Sequence, residues 1–263
     1  MNAKEYIKYL LSIENYSFSL DEIAKETAGS SNSLKFELLR LSDKGEIVNL
    51  RKGFYLIIIP RYSSAKKLPL QLYCEKLFKY LDRNYYVGLL SAAKFHGASH
   101  QQIQRDYLIT EKPKFNDISK NAIDIRFFTT TNWPDKNIQQ KKSDAGIFKI
   151  SSPALTIVDL IHYQTKLGGI IRILETIEEL IEELTESDLA DLLSWYPNKS
   201  TLQRFGFLLE DLGMEVEFQE MIHSKLKAKN FFPVLLSPNS NEKPGAVDNR
   251  WKVDVNVKLE NDL

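Results

Sequence analysis

The sequence predicts an α+β protein in two parts: an N-terminal winged helix-turn-helix, then a larger mixed α/β domain. Three observations point there. Three short amphipathic stretches come before two alternating apolar runs joined by Arg51-Lys52-Gly53. A polar stretch between Pro60 and Pro69 follows, as a linker would. Beyond it, helical and strand-like patterns interleave.

Each element has a local reason. Residues 3–13 carry Tyr6, Ile7, Leu10 and Leu11 at helical spacing. Ser19 is placed to cap a second helix, with Glu22 three residues on as in a capping box and Gly29 at its end. Ser30 or Ser31 opens a third helix, which sets Leu34, Leu38 and Leu41 on one face and Gly45 past its end. Residues 46–50 and 54–59 alternate, and a three-residue link with glycine at its left-handed position is a hairpin signal. This order of elements gives a winged helix over residues 1–66 and a second domain over 67–263.

In that second part, 70–83 and 89–96 read as helices. Residues 105–110, 123–131, 146–150 and 231–236 read as strands, and helical patterns dominate 154–212. Residues 251–259 alternate apolar and polar side chains strictly, which predicts one half-buried strand. No internal repeat is visible.

The 263 residues are 43% hydrophobic and 27% charged, with few glycines and prolines, so disorder is expected only at 259–263. The single cysteine, Cys74, excludes an internal disulfide and any cysteine-based zinc site, and its apolar helical surroundings predict a buried thiol. The longest aliphatic run, 56–59, is too short to span a bilayer, and a cytoplasmic protein without a membrane partner is expected.

Formal net charge is zero, yet it is a cancellation between regions. Residues 30–67 hold Lys35, Arg40, Lys44, Arg51, Lys52, Arg61, Lys66 and Lys67 against Glu37, Asp43 and Glu46. Residues 172–191 hold Arg172 against a run of acids. Such asymmetry suggests an anionic partner for the first part.

That partner is expected to be double-stranded DNA. In a winged helix the third helix enters the major groove and the hairpin tip reaches a flanking phosphate or the minor groove. With the three leucines inward, Asn32, Phe36 and Arg40 turn outward, and Ser33 and Lys35 sit on the flanks. Ser31 belongs to the helix start, where backbone amides suit a phosphate. Arg51 and Lys52 would complete a continuous basic surface. Two blander readings are a solvated turn and a winged domain used for protein contacts. DNA is preferred because helix and hairpin are basic together. Phe36 either touches a thymine methyl or packs beneath the hairpin.

No catalytic residue, metal site or cofactor is expected, and the chain is not read as an enzyme. His96 and His100 have helical metal-pair spacing, but Gly97 and Ser99 break the helix between them. His162 and His223 read as ordinary helix residues. No Walker loop, GxSxG or kinase signature is present. Asp248, Asp254, Asn256 and Lys258 would suit a metal nuclease only if they shared the polar face of one strand. The acidic run 175–184 reads as an amphipathic helix with a solvated face, which leaves room for a basic partner without requiring one.

The chain resembles the AbiEi antitoxins of bacterial abortive-infection systems, winged-helix transcriptional regulators of phage defence. The resemblance rests on Leu50-Arg-Lys-Gly-Phe-Tyr55 and on Tyr85-Tyr-Val-Gly-Leu-Leu-Ser-Ala-Ala-Lys-Phe-His-Gly97, close to the family's Tyr-Leu-Ser-Ala-Ala-x-x-His-Gly. It rests also on Ile150-Ser-Ser-Pro-Ala-Leu-Thr-Ile-Val-Asp-Leu160, close to Ser-x-Pro-x-x-Thr-x-x-Asp-Leu. It implies a repressor that binds inverted repeats in its own promoter. Through its C-terminal domain it would neutralise a neighbouring nucleotidyltransferase toxin, in the type IV manner that needs no stable toxin complex. One winged helix reads few base pairs, so a monomer in solution that pairs on DNA is expected. The alternatives are a repressor whose second domain senses a ligand or protein and, less favoured, the metal nuclease.

Overall fold

Asn2 opens the first helix, α1 (Ala3–Ser12), with a reciprocal capping box: its side chain accepts the Glu5 amide at 2.9 Å and Glu5 accepts the Asn2 amide at 2.8 Å. The structure is a computed structural model describing residues 1–28, 30–65, 67–98, 104–228, 230–238 and 241–259. A short strand, β1 (Ser17–Ser19), leads directly into α2 (Leu20–Glu26). Ser19 and Glu22 form the expected capping box there. Gly29, expected to end this helix, lies outside the described residues.

Ser30 caps α3 (Ser31–Asp43), which buries Leu34, Leu38 and Leu41 as its periodicity requires. The hairpin strands follow as β2 (Ile47–Arg51) and β3 (Phe54–Ile57), with Gly53 at φ 78° between them. The three strands form an antiparallel sheet in the order β1-β3-β2. Tyr6, Leu10, Phe18, Ile23 and Ile47 join the α3 leucines in one core, where Phe18 stacks on Tyr55 at 5.3 Å.

Next come α4 (Cys74–Leu81), β4 (Tyr85–Val87), α5 (Leu89–Phe95), β5 (Asp106–Glu111), β6 (Ile118–Lys120), β7 (Ile123–Thr130), β8 (Ile138–Ser143) and β9 (Gly146–Ser151). A six-stranded mixed sheet runs β6-β7-β5-β4-β9-β8. β5 and β7 pair in parallel from Asp106↔Ile125 to Glu111↔Thr130. Cys74 is fully buried, and burial pushes its thiol up to about 12.

Helices complete most of the rest: α6 (Pro153–His162), α7 (Gln164–Leu167), α8 (Ile170–Glu182), α9 (Glu186–Trp195), α10 (Lys199–Asp211) and α11 (Val216–Lys227). The strands β10 (Val234–Leu235) and β11 (Val253–Asp254) pair in parallel. None of the described helices is long and apolar enough to cross a membrane.

Two sequence expectations need correction here. Residues 251–259 do not make one long strand; only Val253 and Asp254 pair, because β10 offers just two partners. Trp251 and Val253 are buried, while Val255 is 49% exposed. Residues 231–236 likewise contract to Val234–Leu235.

The chain divides into two compact units. One holds residues 1–86, 104–131 and 140–149; the other holds 87–103, 132–139 and 150–263. Residues 1–66 therefore share a unit with α4 and with β5, β6 and β7.

Candidate nucleic-acid interface

The α3 helix begins where the Ser30 hydroxyl accepts the Ser33 amide at 3.2 Å. Its register follows from the core: with Leu34, Leu38 and Leu41 inward, Ser31, Asn32, Ser33, Lys35, Phe36 and Arg40 are all exposed. Phe36 is 66% exposed, so it does not pack beneath the hairpin. Leu39, not singled out from the sequence, is 57% exposed on the same side. Only the register set by the three leucines could have flagged it.

The hairpin tip behaves differently from expectation. Lys52 is exposed, and its carbonyl accepts the Tyr80 hydroxyl at 3.1 Å. Gly53 is required here, since its φ is positive and a Cβ would meet the Tyr80 hydroxyl at 2.6 Å. Arg51 turns inward. Its guanidinium lies 4.8 Å from the Phe115 centroid and 5.9 Å from that of Phe127, and Arg83 lies 5.1 Å from Phe115. The Arg51 Nη1 is enclosed and has no hydrogen-bond partner, and burial lowers the pKa of the group. The basic surface drawn through both Arg51 and Lys52 is thus carried at the tip by Lys52, while Arg51 is held by two rings through cation–π contact. No local pattern signals this, because the rings come from a loop and strand far along the chain.

The third motif, around residue 150, is a structural hub in the other unit. Ser152 caps α6, its hydroxyl accepting the Leu155 amide at 3.4 Å. The Ser151 and Thr156 hydroxyls meet at 2.7 Å. His96, at the C-terminal end of α5, places Nε2 at 2.8 Å from the Ser151 carbonyl, a contact that puts its proton on Nε2. It does not face the Ser151 hydroxyl as an activating base would at this contact. Asp188 accepts the Ala154 amide at 2.8 Å and the Asn137 side-chain amide at 2.7 Å. His100 lies outside the described residues.

The other histidines hold structural places. His223 packs edge-on to Trp251 at 5.4 Å, and burial lowers both its pKa and that of His162. Asp254 accepts the Gly245 amide at 2.7 Å, and Asn256 bridges the Ser237 backbone at both amide and carbonyl. The single polar strand face that a nuclease reading needs is therefore not formed by Asp248, Asp254, Asn256 and Lys258. Among the described residues, no three His, Cys, Asp or Glu side chains are grouped to hold a metal. On α8, Ile173, Leu174, Ile177, Leu180 and Ile181 are buried, and Glu175, Glu178 and Glu182 face outward as expected.

Comparison with known proteins shows what the domain that contains this hub is similar to. No curated protein matches the sequence. The crystal structure of the RV2827C protein from Mycobacterium tuberculosis shares the fold, with a TM-score of 0.66 at 14% identity, covering 95% of this chain and 90% of that one. An antigenic nucleotidyltransferase-like protein from Paracoccidioides brasiliensis overlaps with a TM-score of only 0.35 at 13% identity, over 59% of this chain and 89% of that one, too low to indicate a common fold. Residues 86–211 match the family model described as the AbiEi antitoxin C-terminal domain. This match supports an AbiEi-type antitoxin, residues 86–211 being similar to the C-terminal domain of that family.

Proposed function

We propose that the protein is an antitoxin that also represses its own promoter. Residues 1–66 act as a winged helix-turn-helix on double-stranded DNA, and residues 67–263 carry the neutralisation of a neighbouring nucleotidyltransferase-type toxin. The observation that carries the DNA half is the outward face of α3, where Asn32, Lys35, Phe36 and Arg40 are exposed together in an α1-β1-α2-α3-β2-β3 unit. Lys52 supplies a cation at the hairpin tip of that unit. Ser31 and Ser33 at the helix start suit phosphate oxygens. The protein acts in the cytoplasm, without catalysis or cofactor, as a monomer that pairs on inverted repeats.

The matched antitoxin domain supports the second half. Fluorescence anisotropy with the protein's own promoter fragment tests the first, and growth rescue of cells expressing the neighbouring gene's product tests the second. Binding no tighter than to scrambled DNA would remove the repressor role. Absence of protection would remove the antitoxin role.

One feature favours the ligand-sensing alternative. Within the first unit lies a cleft of about 890 Å³, lined by Glu14, Glu22, Tyr73, Lys76, Tyr80 and Asp144 among others. If it governs function, a small molecule should change promoter affinity and no protection against a toxin should be seen.

A further inference from the structure

We infer that Phe36 and Leu39 recognise thymine methyl groups, so that the operator half-site sets A·T pairs against the middle of α3. This rests on the DNA-binding reading above and names the base chemistry it selects. Two large apolar side chains stand 66% and 57% exposed on a helix that already buries three leucines on its other side. Being three residues apart, they lie about 60° apart around the helix and form one apolar patch. Exposed apolar patches rimmed by polar groups mark contact surfaces.

The rim selects the partner. Asn32 lies between the two on the helical wheel, one turn toward the N-terminus, and Lys35 and Arg40 flank them on either side. A basic rim fits a polyanion. Thymine is the base that shows an apolar group, its 5-methyl, in the major groove, and asparagine pairs with adenine N6 and N7. Apolar centre, amide and basic flanks thus match an A·T-containing segment of DNA.

The test compares the promoter fragment made with thymine against the same fragment made with uracil throughout. That change removes the methyls and leaves the hydrogen-bonding edges intact. The full-length protein should bind uracil DNA more weakly, about fourfold for each methyl contacted and on the order of fifteenfold for two. Phe36→Ala/Leu39→Ala, both at exposed positions, should bind the two fragments equally. Equal binding of both by the unsubstituted protein would overturn the inference. So would a double variant that keeps the full preference for thymine. A double variant with unchanged DNA binding but altered self-association in light scattering would assign the patch to a protein contact and also overturn it. If the unsubstituted protein does not prefer the thymine promoter to scrambled DNA, the DNA-binding reading itself fails.

Discussion

The Arg51 guanidinium lies 4.8 Å from the centroid of the Phe115 ring, with Phe127 behind it at 5.9 Å. The hairpin tip is thereby pinned to a loop and a strand that follow it in the same unit, and two further bonds add to this. Tyr80 donates to the Lys52 carbonyl at 3.1 Å, and Lys120 donates to the Asn49 carbonyl at 2.8 Å. The two basic residues at the tip should therefore have separable roles. Lys52→Ala should weaken promoter binding and reduce its salt slope by about one unit. Arg51→Ala should leave that slope nearly unchanged and cost about 1 kcal/mol of stability, from the lost cation–π contacts. Salt titrations and urea melts of both variants check this; a slope change confined to Arg51→Ala would reverse the assignment.

How much of this was legible follows from the range of each interaction. The first three helices and the hairpin are set by caps and periodicity within a few residues, as at Ser19–Glu22 and Ser30–Ser33, and these appear as expected. The outward set on α3 follows from Leu34, Leu38 and Leu41. Strand β1 leaves no sequence signal, because three residues carry no period and its existence depends on pairing with β3. The inward turn of Arg51 depends on Phe115 and Phe127. Strict alternation over 251–259 overstated a strand, because alternation cannot supply the missing partner beyond β10.

Gly206 and Trp251 give a packing prediction within the second unit. A Cβ at Gly206 on α10 would meet the Trp251 ring at 2.1 Å, and that ring is fully buried. Gly206→Ala should destabilise the protein by about 2–3 kcal/mol despite alanine's better helix propensity. A melt followed by tryptophan fluorescence should show it, and a stabilised variant would mean the ring is not seated there.

Glu22 and Lys76 predict an acid-dependent contribution. Their charged groups are 3.2 Å apart. Burial works to raise the Glu22 pKa, but the Ser19 amide and Lys76 outweigh it, so the carboxyl is held below its ordinary value of 4.5. A depressed folded-state value stabilises the fold above the unfolded value and loses that effect as pH falls through the folded one. Lys76→Met should therefore be less stable than the parent at pH 7, with the gap narrowing below about pH 4.5. A gap that stays constant from pH 7 to pH 3 would count against the pair.

Cys74 should be chemically silent in the folded state. Its thiol is fully buried, 3.6 Å from the Tyr85 hydroxyl, with its pKa raised to about 12. At pH 8 a thiol reagent should react only on unfolding, because the thiolate is the nucleophile. Fast stoichiometric labelling of the native protein would contradict its burial.

Growth rescue combined with a promoter reporter, on full-length chains, tests the central claim most directly. Point variants suit this better than truncation, since a cut at residue 66 would strip Phe115, Phe127 and Tyr80 from the hairpin. The unsubstituted protein should protect cells from the neighbouring toxin and silence the promoter. Asn32→Ala/Arg40→Ala/Lys52→Ala should still protect but lose most repression. If the unsubstituted protein gives no protection, or if the folded triple variant loses protection and repression together, the division of labour proposed here is wrong.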